Sequence, residues 1–322
     1  MRYRVLGRTG FKISDIAHGL WGMSGWSGSD NEQSLQALQL SADLGCSFFD
    51  TAWAYREGNS DSLLGTILAR NKGKRLYVAS KIPPKDRKWP ASKSPYKEVF
   101  PADHVFEYAD KIRDKLGIET IDLLQFHVWN DDWANVKEFR YTVEKLKSNK
   151  IIGSFGLSLN RWEPENGMAA IRTGLVDVVQ VIYNIFDQAP DDELFPLCRE
   201  MNIGVIARVP LDEGSLGGKL TAETKFPEGD WRANYFGPEN LAATLPRVDQ
   251  LKGLLPQGMS LPEMALRFIL SEPTVSTTIV GMRKLEHVRS NIAVSDAGPL
   301  SAELIRKLRE HRWDRKPKRW SD

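Results

Sequence analysis

CSFFD (46–50), RLYVASK (75–81) and DLLQFH (122–127) decide the fold. Each is a short apolar run of strand character, and each ends on a side chain that can hold or move a proton: Asp50, Lys81 and His127. Tyr55 follows Asp50 within DTAWAY (50–55). An acid, a phenol, an amine and an imidazole delivered by strand ends make a proton-transfer site only if consecutive strand tips meet. A parallel barrel brings them together and carries its active-site residues at its C-terminal face.

The rest of the chain repeats this rhythm. Apolar or β-branched segments recur at DIAHGLW (15–21), CSFFDTA (46–52), RLYVASK (75–81), IDLLQFH (121–127), IIGSFGLS (151–158), VDVVQVIYN (176–184), IGVIARVP (203–210) and STTIVG (276–281). Between them, 31–45, 103–117, 135–150 and 192–202 have helical periodicity, and several close on Gly or Asn, as helix C-caps do. Eight strands alternating with helices predict a (β/α)8 barrel of the TIM type over one domain, 1–322. A hairpin over 2–14, turning at RTG, precedes it. Long connections at 82–102 and 211–237 leave the C-terminal face. The rival, an open doubly wound sheet, calls for a Gly-rich turn after its first strand, and GLWGMSGW has no GxGxxG.

Composition narrows the function classes. With 44 basic and 42 acidic residues the formal charge is +2, which provides no broad field for nucleic acid or anionic membranes. The tail RWDRKPKRW (312–320) is the one local cationic bias and reads as a solvated end, with a flap over an anionic ligand as the alternative. Cys46 and Cys198 are too few for a disulfide framework, have no metal-ligand spacing and read as small core residues, so no metal is expected. No secretory or membrane-spanning run is present, and a cytoplasmic location is expected. The oligomeric state is left open.

Taken singly, each candidate has an ordinary reading: Asp50 an N-cap, Tyr55 a packing aromatic, Lys81 a snorkelling cation, His127 a core histidine. Complementary acid–base groups on three successive strand tips are far rarer than any one of them. A free phenol has a pKa of about 10, and a nearby ammonium held by a carboxylate lowers it. Lys81 and Asp50 are the groups that would do this to Tyr55, and His127 would orient a substrate oxygen or relay a proton.

On these residues the chain resembles an aldo-keto reductase. That family has Asp and Tyr five residues apart in a DTAxxY segment, then a Lys and a His at the ends of the next two strands, as Asp50, Tyr55, Lys81 and His127 are here. The resemblance runs from the LGRTG turn to STTIVGMRKLEHVRSN (276–291), with Asp61 where Glu is usual. It implies carbonyl reduction with NADP(H) preferred and NAD(H) also possible, acting on a small-molecule aldehyde or ketone of sugar-like or aromatic type, with Tyr55 as the proton donor.

The resemblance also implies the cofactor contacts. Ser158 and Gln180 match carboxamide-binding positions, with Asn160 in place of the usual neighbour of the serine. Pro210, Leu211, Ser215 and Lys219 belong to the segment over the pyrophosphate. Gly281, Arg283, His287 and Asn291 lie at the adenosine end, where Gly281 and Met282 replace a Lys-Ser pair of some members. Arg208 stands where many members stack a Tyr on the nicotinamide, and a cation there should favour the reduced, uncharged ring. Trp21, Trp53 and Trp129 are the expected aromatic walls of the substrate pocket, with Trp26 and Trp89 as looser candidates. LDEGSLGGK (211–219) departs from a Walker loop at Glu213 and after Lys219. Two other readings stand beside the enzyme: a cofactor-binding regulatory subunit like those of potassium channels, and a barrel lyase or isomerase that uses no nicotinamide.

Overall fold

The computed structural model describes residues 1–23, 25, 28–91 and 93–317. Trp26 and the tail beyond residue 317 lie outside the described residues. In chain order the strands are β1 (Tyr3–Val5), β2 (Lys12–Ser14), β3 (Ile16–Gly19), β4 (Phe48–Asp50), β5 (Tyr77–Ile82), β6 (Ile121–Phe126), β7 (Ile152–Ser158), β8 (Val178–Ile182), β9 (Gly204–Arg208) and β10 (Val275–Gly281). The helices are α1 (Asn31–Asp43), α2 (Asn59–Arg70), α3 (Tyr96–Val99), α4 (Ala102–Leu116), α5 (Lys137–Ser148), α6 (Met168–Arg172), α7 (Leu194–Glu200), α8 (Arg232–Tyr235), α9 (Pro238–Lys252), α10 (Leu261–Leu270), α11 (Leu285–Ala297) and α12 (Ala302–Arg309).

β1 and β2 form the antiparallel hairpin, and β3 to β10 close a parallel barrel in the order β10-β3-β4-β5-β6-β7-β8-β9. All eight strand segments read from the sequence are barrel strands. The two long connections carry more order than expected: α3 lies within 82–102, and a 3-10 turn (Asp212–Gly217) and α8 lie within 211–237.

Strand alternation explains where the site comes from. The lower barrel interior is apolar, filled by Ala17, Phe48, Ala79, Leu123, Val178 and Ile206, with Leu6 and Ile13 of the hairpin region packed into the same cluster. Side chains two residues apart on a strand share a face. One step further along, Phe48, Ala79, Leu123, Val178 and Ile206 become Asp50, Lys81, Gln125, Gln180 and Arg208. The polar layer is therefore the second storey of an apolar core, set just below the C-terminal mouth.

The outer shell obeys local rules. Asp30, Ser260 and Ser301 cap α1, α10 and α12 by accepting backbone N–H bonds. Gly117 ends α4 in the left-handed region, as C′ glycines do. Gly65 lets α2 approach α4, since a Cβ there would lie 2.7 Å from the Lys115 carbonyl oxygen.

Candidate active site

Lys81 Nζ donates to Asp50 Oδ1 at 2.5 Å and to the Thr51 carbonyl at 2.8 Å. Both side chains of this pair are 1% exposed. Gln180 Nε2 donates to the other Asp50 oxygen at 2.7 Å, so β4, β5 and β8 meet at one carboxylate. Tyr55 lies above: Nζ of Lys81 is 5.3 Å from its ring centroid. The loop carrying Tyr55 turns sharply, with Arg56, Glu57 and Gly58 all at positive φ. His127 meets the Tyr55 ring edge-on at 5.9 Å, and Trp89 meets His127 edge-on at 4.5 Å. The structure thus brings the four expected acid–base residues together at one end of the barrel.

Their electrostatics differ from the simplest expectation. Burial and the Asp50 charge hold the Tyr55 phenol above its ordinary pKa, with the Arg208 charge opposing them. The phenol stays protonated, the form an acid needs. Burial lowers the Lys81 pKa, opposed by Asp50. His127 is pushed well below its ordinary value by burial, then by the Lys81 and Arg208 charges. A neutral imidazole orients a carbonyl oxygen but does not supply a positive charge. A second carboxyl, Asp61, is fully buried behind the pair, accepts from Ser80 Oγ at 3.0 Å, and is pushed up to about 7 by burial.

The residues expected to hold a cofactor occupy the adjoining arc of the rim. Ser158 pairs in register with Gln180, and both are buried. Arg208, at the end of β9, donates from Nη2 to the Leu159 carbonyl at 3.0 Å, and burial lowers its pKa to about 10. Arg208 Nε and His127 Nδ1 are buried without a hydrogen-bond partner among the described residues. Two orphaned polar atoms at one mouth fit a ligand that supplies their partners. Pro210 and Ser215 are buried, Leu211 is half-buried and Lys219 is exposed. Val209, Asp212, Glu213 and Gly214 all take positive φ, and this strain in a β-branched residue and its neighbours marks a segment held by its surroundings. Gly281 is exposed with open space beside it, Arg283 and His287 are half-buried, and Asn291 is buried on α11. Among the described residues no cluster of His, Cys, Asp or Glu could hold a metal ion.

Several placements depart from the sequence reading. Asn160 is saturated by protein: its Nδ2 donates to the Trp129 carbonyl and to Glu163, and its Oδ1 accepts from the Ala91 N–H. Ser215 Oγ donates to Asp212 at 2.6 Å. Trp129 is fully buried against Phe126, Trp133 and Phe139, its Nε1 donating to Asp131. It forms no wall of the mouth, because β6 ends at Phe126 and strand alternation stops predicting which way a side chain points. Trp53 turns its ring onto Tyr108 of α4 at 5.5 Å. Trp21 stays at the rim, 37% exposed and edge-on to Trp231 at 5.5 Å. The aromatic at the histidine is Trp89.

The tail is not simply a solvated end. Arg315 is buried and donates to Asp187, Asp212 and the Tyr235 hydroxyl. Arg161 pairs with Glu213 at 2.7 Å, joining the loop after β7 to the loop after β9. No local motif marks Arg161, Asp187, Asp212 or Arg315. Only the basic bias of 312–320 pointed towards the last of them.

A family model described as "Aldo/keto reductase family" matches residues 15–312. The chain is 28% identical to the NADH-specific methylglyoxal reductase of Escherichia coli (strain K12), over 96% of this chain and 99% of the relative. It is 27% identical to a probable voltage-gated potassium channel subunit beta of Oryza sativa subsp. japonica, over 99% and 98%. Among solved structures, it is similar to a glycerol dehydrogenase of Gluconobacter oxydans at 25% identity, TM-score 0.76, covering 94% of this chain and 92% of that one.

Proposed function

The chain belongs to the aldo/keto reductase family, and from that premise we propose that it reduces an aldehyde or ketone to the alcohol with a nicotinamide cofactor, Tyr55 acting as general acid. The observation that carries this reading is the buried Lys81–Asp50 pair beneath the Tyr55 ring, with the His127 ring at its edge. When bound, the cofactor supplies the hydride.

This chain's residues do the rest. The neutral His127 imidazole holds the carbonyl oxygen, and Tyr55 gives that oxygen its proton. The Lys81 ammonium stabilises the phenolate left behind, and Asp50 keeps the ammonium in place against its burial cost. Ser158 and Gln180 would hold the carboxamide and Arg208 the ring end, while Leu211, Lys219 and the backbone at Ser215 would serve the phosphates. Gly281, Arg283, His287 and Asn291 would hold the adenosine end. The cations Arg283, Lys284 and Arg289 near the start of α11 support a preference for NADP(H), with NAD(H) as the other cofactor. Trp21 and Trp89 suit a flat or sugar-like carbonyl compound, and a small dicarbonyl belongs on the panel because of the Escherichia coli relative.

Tyr55→Phe tests the chemistry. It should keep cofactor affinity, read by tryptophan quenching, and lose about 10²- to 10⁴-fold in kcat. Near-wild-type turnover would remove Tyr55 as the acid. The similarity to a channel subunit makes repeated turnover the deciding measurement, since cofactor bound but never released would favour a regulatory role.

A further inference from the structure

We propose that Asp61 is a positioning residue of the proton-donor site: a third buried ionisable group behind the Asp50–Lys81 pair, whose own protonation sets how readily Tyr55 gives up its proton. The inference rests on the reading of Tyr55 as general acid.

The geometry is a relay of short contacts. Asp61, in the first turn of α2, is fully buried and accepts from Ser80 Oγ, which belongs to the residue just before Lys81 on β5. Thr51, the residue after Asp50, lies close enough to favour the charged form of Asp61. Thr51 in turn shares a 2.7 Å hydroxyl contact with Ser60 and offers its carbonyl to Lys81 Nζ. Asp61 therefore bonds the chain neighbour of Lys81 and lies beside the chain neighbour of Asp50. Its second oxygen, Oδ2, is buried with no hydrogen-bond partner among the described residues. A carboxylate with one oxygen unsatisfied is costly to keep charged, and a carboxylic acid in the same place is not.

The charges that reach Asp61 are Lys81 from β5 and Asp50 from β4, and its own charge is felt at Tyr55. The neighbouring helices add little: α1 buries Ala37, Leu38 and Ser41, and α4 buries Val105, Ala109 and Ile112. His104, the titratable group among the buried residues of α4, bonds the Pro83 carbonyl. Burial places the Asp61 transition at about 7, where it can act on turnover. In the protonated form, Asp50 is the one buried carboxylate beside Lys81. In the ionised form, a second negative charge opposes formation of the Tyr55 phenolate, so proton donation slows.

The experiment is single-turnover oxidation of bound reduced cofactor by an aldehyde between pH 5.5 and 8.5, in wild type, Asp61→Asn and Ser80→Ala. Wild type should slow by about tenfold as pH rises through neutrality. Asp61→Asn keeps the shape without the charge and should hold the fast, low-pH rate throughout. Ser80→Ala removes a donor that stabilises the charge and should move the transition to higher pH. A purely structural Asp61 would change rates evenly at all pH values. Superimposable profiles for wild type and both variants would overturn the proposal. If Asp61→Asn does not fold, an unmoved transition in Ser80→Ala overturns it alone. Absence of turnover in wild type would instead strike the reading of Tyr55, a separable failure.

Discussion

Lys81→Met separates what the buried ion pair does for stability from what it does for chemistry. The substitution keeps an unbranched side chain of similar length and deletes the ammonium. Asp50, 1% exposed, then loses the 2.5 Å bond from Nζ and, among the described residues, is left with the 2.7 Å side-chain bond from Gln180. Removing one partner of a buried pair leaves an uncompensated charge, which costs about 3–5 kcal/mol. Replacing both partners with neutral groups removes the charge that made the loss expensive. Lys81→Met/Asp50→Asn should therefore regain more than half of the stability lost by Lys81→Met, although neither variant turns over. Denaturant midpoints at pH 7, compared at equal slope, measure this. A double variant as unstable as Lys81→Met, or worse, would show that the cost comes from lost packing and that the pair is not held as described.

Asp61 ties stability to pH. Its folded pKa is raised to about 7 from 3.8, so the stability it contributes is present in acid and lost as pH rises through about 7. Asp61→Asn should gain on wild type between pH 5 and pH 8, by about 3 kcal/mol for the two units from pH 5 to about 7, and a thermal-midpoint difference that does not change with pH would refute this. Arg208→Tyr should tighten oxidised cofactor relative to reduced; an unchanged ratio of the two dissociation constants would remove the cation's role. Trp129→Ala should cost about 3–5 kcal/mol of stability through a core cavity, whereas Trp89→Ala, at a 41% exposed residue, should raise KM for the carbonyl substrate with little loss of stability. The reverse pattern would put Trp129 back at the mouth.

The strands were legible because barrel strands buried on both sides are short apolar runs, and because the residue closing each run is of a type that apolar layers exclude. Asp50, Lys81 and His127 could be picked out for that reason. Reading failed where the chain leaves the strand. Trp129 and Trp53 lie past strand ends, so their direction depends on loop conformation, and each found a helix face instead of the mouth. Arg315 lies 103 residues from its partner Asp212 and 128 from Asp187. No local pattern encodes such pairs, because the cost that enforces them arises only when the tail is buried.

That cost explains how one side of the rim is organised. Arg161–Glu213 and Arg315 with Asp187 and Asp212 are ion pairs whose side chains are almost fully buried, and a buried charge persists only with its partner. The partners come from the loops after β7, β8 and β9 and from the tail. Opening any one of the four segments would unpair a charge in at least one other, so each opening carries the cost of a stranded buried charge. Asp212, shared by Arg315, Ser215 and Tyr235, is itself at positive φ, as are Val209, Glu213 and Gly214 beside it. The clasp supplies what holds that backbone in a conformation a β-branched residue avoids. On the side after β4 to β6, Tyr55, Trp89 and His127 meet by ring contacts instead, which adjust without stranding a charge. A barrel built this way holds the arc after β7 to β9 through electrostatics and leaves the arc after β4 to β6 free to vary in shape.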